Sequence, residues 1–159
     1  MDLLQEARSL YLAGDMHRAL EAAQAAADRK PKDAEAWWLL GCVSRHLGLV
    51  AASDDAFRRA HALAPRQRAE PYRVSAGRLQ EMVESTVESL SADSRRRLGG
   101  PKLRVAALPA ADKIRSGVSP DALTARCDGE LVVYQVNLEN RAGDEAELGR
   151  LVRRALQRA

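Results

Sequence analysis

The apolar positions of residues 1–67 fall into four helical stretches. Leu3 and Leu10 mark the first, Ala19, Ala23 and Ala26 the second, Trp37 and Leu40 the third, and Phe57 and Ala60 the fourth. Gly14 and Gly48 close the first and third, and Pro31 and Pro65 the second and fourth, as helix-stopping residues do. Further on, Leu79, Met82, Val83, Val87 and Leu90 stand three and four apart and predict one amphipathic helix over 75–90. Asp93 to Leu98 adds a helical turn, which Gly99, Gly100 and Pro101 break. The period then changes to two: Leu103, Val105 and Ala107 alternate with Arg104 and Ala106, predicting a half-buried strand that Pro109 ends.

Ala110 to Arg115 reads as a short helix closed by Gly117, and Ser119-Pro120-Asp121 as the start of another turn. Asp128 and Gly129 form a tight turn into Leu131–Val136, the strongest β run in the chain. Asp144 and Glu147 make a capping box that opens a helix through Leu148, Leu151, Val152, Ala155 and Leu156. Arg153, Arg154 and Arg158 suit its C-terminal dipole. The expected architecture is α+β: all-α hairpins at 1–67, a connection at 68–74, and a small α+β region with a short sheet at 75–159. Strands 103–107 and 131–136 are expected to leave an open edge to which a partner strand can add.

A shift of 34 residues lays Gly14 on Gly48, Ala26 on Ala60 and Pro31 on Pro65. A fixed period of that length is the mark of stacked helical hairpins. Trp37, Leu40, Gly41, Gly48, Phe57, Ala60 and Pro65 follow the pattern of the tetratricopeptide repeat, so residues 1–67 resemble two such repeats. Gly41 and Ala60 stand where two helices must cross closely. Two repeats bury little by themselves and need a capping element, a role that suits the helix over 75–90.

The repeat resemblance implies a ligand face on the inner side of each first helix. Counting the period along the chain puts Leu4, Arg8, Tyr11 and Leu12, then Trp38, Cys42, Arg45 and His46, on that face. Arg8 and Arg45 suit carboxylates and Tyr11 and Trp38 offer apolar area, so the expected partner is another protein or peptide segment, acidic or aromatic-containing. The bland alternative is that Trp38 and Leu12 are buried against downstream residues. The lysine and asparagine set with which chaperone-binding members clamp a terminal carboxylate is missing. Cys42 and His46, one turn apart, lack a third metal ligand, which favours a buried thiol and a groove histidine. His17 and His61 read as ordinary surface positions.

Aromatic residues make up only 4% of the chain against 46% apolar, so the core is aliphatic and alanine-rich. Residues 1–65 hold eight Lys/Arg and nine Asp/Glu, leaving 17 basic and 13 acidic residues beyond. The second part is therefore mildly positive, but Arg95, Arg96 and Arg97 form its one tight basic run and lack aromatics to stack on bases, which makes nucleic acid an unlikely partner. Cys42 and Cys127 lie too far apart in sequence for a Cys-x-x-Cys site, which fits a reducing cytoplasm. The start Met1-Asp2-Leu3-Leu4-Gln5 lacks the base of a signal peptide, and no apolar run approaches membrane-spanning length.

From residue 73 onward the order of elements carries a second resemblance. A polar helix is followed by a strand ending near a proline, by Gly117-Val118-Ser119-Pro120, by the exit Tyr134-Gln135-Val136-Asn137-Leu138, and by the helix over 145–156. Residues 73–159 thus resemble the small zincin-type metallopeptidases, some of which carry tetratricopeptide repeats in front. That family implies a zinc held by His-Glu-x-x-His with the glutamate as general base. Laying the last helix on that pattern puts Arg158 and Ala159 where the first histidine and the glutamate belong, and no histidine follows His61. Neither metal ligands nor a general base are present, and no cofactor is expected.

Nor does another catalytic set emerge. Ser75, Ser85, Ser89 and Ser91 have no histidine partner in this half, Cys127 has no base nearby, and Gly99-Gly100-Pro101 lacks the residues of a phosphate loop. The expected function is therefore a non-catalytic adaptor that binds a partner polypeptide through the repeat groove, with the second region as a cap or second surface. The alternative is a fragment of a zinc metallopeptidase whose His-Glu-x-x-His helix lies past Ala159 or comes from another chain. In that case Tyr134 and Asn137 would stand beside the metal site.

Overall fold

A computed structural model describes residues 2–100 and 102–159. The fold is α+β, α-rich with a small mixed sheet of three strands, and it divides into two compact units. One comprises Met1–Pro71 with Ala110–Pro120, the other Tyr72–Pro109 with Asp121–Ala159.

Four helices build the first unit: α1 (Leu3–Leu12), α2 (Met16–Arg29), α3 (Ala34–His46) and α4 (Val50–Leu63). Three of them start at an aspartate whose carboxylate accepts a backbone N–H of the first turn: Asp2 from Gln5 at 2.8 Å, Asp15 from Arg18 at 3.4 Å and Asp33 from Glu35 at 3.0 Å. α1 and α2 pair as one hairpin and α3 and α4 as another, with α2 packed on α3. Gly14 (φ 84°) and Gly48 (φ 75°) turn the chain in the left-handed region that side chains disfavour.

The crossing of α3 and α4 is as close as the small residues suggest. A Cβ at Gly41 would lie 2.7 Å from the Phe57 ring, and the Ser53 hydroxyl donates to the Gly41 carbonyl at 2.7 Å. Phe57, Ala60, Val43 and Tyr11 lie in one core with the alanines of α2, and Phe57 is fully buried. A core of such small residues needs short interhelical distances, because every ångström of separation leaves unfilled volume. Residues 110–120, expected among the downstream elements, join this unit. They contain the short helix α7 (Ala111–Arg115), whose Ile114 is buried.

The second unit contains α5 (Ala76–Ser89), α6 (Ala92–Leu98), β1 (Lys102–Ala106), β2 (Thr124–Cys127), β3 (Glu130–Tyr134), α8 (Gln135–Asn140) and α9 (Glu145–Arg158). Ser75 caps α5 and Asp144 caps α9, the latter accepting from Glu147 N at 2.7 Å while the Glu147 carboxylate accepts from Gly143 N at 3.0 Å. α9 packs against α5, α6 and α8 and buries Leu148, Val152, Ala155 and Leu156. The sheet order is β1-β3-β2, with β3 parallel to β1 and antiparallel to β2. Asp128 (φ 51°) and Gly129 (φ 78°) turn β2 into β3, both with the positive φ that a tight two-residue hairpin requires.

Two expectations are corrected. The strand run stops at Tyr134, because residues 135–140 form α8. A helix sets Gln135 and Glu139 one turn apart on one face, where both meet Val74. β3 is the central strand, paired on both sides and buried from Leu131 to Tyr134, so the expected open edge does not lie on it, whereas β1 is an outer strand of the sheet. The turn expected at Ser119-Pro120-Asp121 is present at residues 120–121. Among the described residues, no helix is long and apolar enough to cross a membrane.

Candidate functional site

α1 and α3 pack against each other within the first unit, and the eight residues assigned to the ligand face divide by burial. Tyr11, Trp38 and Cys42 belong to the buried cluster, with Leu4 partly buried against it. Leu12 is 52% exposed, Arg8 is exposed, and Arg45 and His46 are half-buried. Trp38 is enclosed by core and salt-bridge residues: its ring meets Phe57 at 4.9 Å between centroids, and the Arg68 guanidinium lies 4.2 Å above it. Trp38 therefore contributes to packing and cation–π attraction, leaving Arg8, Leu12 and Arg45 as the accessible chemistry of the face.

Arg68 also grips Glu35 in a two-pronged pair, Nε to Oε1 at 2.9 Å and Nη2 to Oε2 at 2.5 Å. Its backbone carbonyl accepts from His61 Nδ1 at 2.8 Å, so His61 is half-buried and engaged rather than simply at the surface. The Arg68 hydrogen bonds hold the Glu35 carboxyl below its ordinary value of 4.5 against the opposing effect of burial, and the charges of Arg68 and Arg8 add to this. A carboxylate lowered in the folded state stabilises it above the unfolded value and loses that contribution as pH falls through the folded one. We expect the stability advantage of the protein over Glu35→Gln, full at pH 7, to shrink as the pH is lowered below 4.5. Urea midpoints of the two proteins between pH 7 and pH 3 check this; a constant difference would contradict it.

The opposite end of the face is engaged by residues 110–120. Ile114 Cγ2 lies 3.0 Å from where a Cβ on Gly14 would stand, so the absence of a side chain there makes room for Ile114. His46 Nε2 donates to the Pro120 carbonyl at 3.2 Å, which places the ring proton on Nε2. Tyr11 meets the His46 ring edge-on at 5.5 Å and an angle of 81°, fixing its direction. Pro120 is buried.

Elsewhere in this unit a recess of about 630 Å³ opens over α2 and α4, floored by Leu20, Leu40 and Ala56. Two of its acids are already engaged: Asp55 holds Arg59 at 3.1 Å, and Asp28 accepts from Gln24 at 2.9 Å. In the second unit the buried Glu139 binds Arg73 Nη1 at 3.3 Å and Val74 N at 2.8 Å, and Gln135 bridges the Val74 carbonyl and Glu139 at 2.9 and 3.1 Å. This network fastens the end of the 68–74 connection to α8. Among the described residues, no three His, Cys, Asp or Glu side chains converge. The residues present thus do not fit the zinc that the metallopeptidase resemblance implies.

No family model, curated protein or solved structure matches this chain. Neither the Glu35–Arg68 pair nor the docking of residues 110–120 was anticipated from sequence. The first joins residues 33 positions apart with no local signal. The second joins residues 74 positions apart, likewise with no local signal.

Proposed function

We propose that this protein is a non-catalytic adaptor whose tetratricopeptide-like face on α1 and α3 holds a partner polypeptide. One observation carries the reading. A segment from a distant part of the chain already lies against the ends of α1 and α3, with an apolar side chain seated at Gly14 and a backbone carbonyl bound by His46. Groups that hold one peptide segment this way are of the kind that hold another. Arg8, Leu12 and Arg45 remain accessible beside it and favour a partner that brings acidic and apolar side chains. The metallopeptidase-like unit serves in this reading as a cap or second surface.

The reading is tested by affinity capture with the unchanged chain and with Arg45→Glu, using Arg58→Glu on α4 as a charge-matched control. A partner retained by the first and the control, and reduced about tenfold or more on Arg45→Glu, is expected, since reversing a charge both removes an attraction and adds a repulsion. Equal retention by all three would overturn it. Zinc measured on the same preparation addresses the peptidase alternative, which requires one equivalent of bound metal.

A further inference from the structure

Residues 110–120 are set in the first unit although the chain on either side of them belongs to the second. Their conformation is largely local. Ser116, Gly117 and Val118 N–H groups bond back to carbonyls of Asp112, Lys113 and Ile114, and Gly117 takes φ 112° to bring the chain out of α7. Such a segment is a prefolded knob, a helical turn that presents one aliphatic side chain, then a glycine bend, then an extended stretch to a proline. The face opposite reads each part. Gly14 leaves the space that Ile114 fills, and His46, aimed by Tyr11, takes the Pro120 carbonyl.

We infer that the ends of α1 and α3 recognise segments of the form aliphatic-x-x-Gly-x-x-Pro, that Ile114–Pro120 is the resident copy, and that a partner segment of this chemistry binds by displacing it. The inference rests on the proposed polypeptide-binding role and names the chemistry of its ligand. A partner gains over the resident by carrying an apolar residue that reaches the exposed Leu12 and an acid that reaches Arg45, which neighbour Tyr11 and His46 in sequence. Because the resident is tethered, its local concentration is high, and the apparent affinity for a free peptide is lowered by the fraction of time the face is filled. The adaptor is thus self-masked.

The test uses a fluorescent peptide spanning residues 109–121 added to the full chain, to Ile114→Ala and to Ile114→Ala with His46→Ala. Loss of the Ile114 side chain weakens the resident, so the peptide is expected to bind Ile114→Ala about tenfold or more tightly than the unchanged chain. It is expected to bind the double variant more weakly than Ile114→Ala. A peptide with aspartate in place of isoleucine is expected to bind none of them. Tryptophan fluorescence, whose two reporters Trp37 and Trp38 both lie in this unit, shows whether each variant is folded.

Amide exchange of residues 111–118 in the unchanged chain gives an independent reading and is expected to accelerate when peptide is added in excess. Absence of peptide binding to folded Ile114→Ala, or equal binding of the aspartate peptide, would overturn the inference, as would unaltered exchange under saturating peptide. If Arg45→Glu still abolishes partner capture in that case, the adaptor reading stands and only its ligand chemistry is wrong. If the peptide binds as expected while capture does not depend on Arg45, the adaptor reading fails instead.

Discussion

Phe57→Ala is expected to destabilise the helical unit by about 3–5 kcal/mol, the usual cost of removing a fully buried phenylalanine and leaving a cavity. The ring fills the gap that Gly41 leaves between α3 and α4 and packs on Trp38, so its removal opens space at the helix crossing. The same geometry makes Gly41→Ala informative. Alanine gains about 1 kcal/mol over glycine in a helix interior, but its Cβ would lie 2.7 Å from Phe57, and overpacking of this kind costs about 1–3 kcal/mol. The clash should win, and Gly41→Ala alone should destabilise. In a Phe57→Ala background the clash is gone, and the same substitution should stabilise. Urea unfolding followed by tryptophan fluorescence reads the first unit alone, since both tryptophans lie there. Additive effects in this cycle would show that α3 and α4 do not cross at Gly41.

Glu139→Ala should have a comparable effect on the second unit, about 3–5 kcal/mol, because it strips a buried network of its central acceptor. Arg73 would lose its carboxylate partner, the Val74 N–H would lose its acceptor, and Gln135 would keep only one of its two bonds. Glu139→Gln retains an acceptor of similar shape and removes only the charge, so a smaller loss of about 1–3 kcal/mol is expected. Amide exchange along α8 and α9 measures both. The apolar core of Leu79, Val83, Leu131, Leu138 and Leu148 is untouched by either change, and a loss below about 0.5 kcal/mol for Glu139→Ala would mean that packing alone holds α8.

These two sites also mark how far the fold could be read from the chain. A close crossing at Gly41 was legible because a glycine inside a helical stripe of the repeat leaves room for a neighbouring helix, whereas the identity of Phe57 as the side chain that fills this room comes from the structure. The cap at Asp144 and the turn at Asp128-Gly129 were legible because each is a local signal of a few residues. Glu139 was not, because the value of Gln135 and Glu139 depends on where Val74 arrives, and Val132 to Val136 reads as one continuous β run until that meeting is known. The order β1-β3-β2 is likewise a matter of long-range pairing, and alternation within a strand does not say which strand is central. At the candidate site, the period placed Leu4 to His46 on one side of α1 and α3. It did not foresee that Phe57 and Arg68 would enclose Trp38, nor that residues 110–120 would lie against Gly14 and His46. Both depend on residues far away in sequence.

The candidate face is therefore smaller and more polar than periodicity suggested, with Arg8, Leu12 and Arg45 accessible and Tyr11, Trp38 and Cys42 serving as its foundation. It also comes with a resident occupant. In the proposed reading, such a face would gain selectivity from having to exchange one segment for another, since only a partner that replaces the lost contacts would bind.

The most direct test of the adaptor reading is quantitative capture of partner polypeptide on the unchanged chain, on Arg45→Glu and on Arg58→Glu. The account predicts a partner held by the first and third and reduced about tenfold or more on the second. Retention that is the same on all three, with each protein folded, would contradict it.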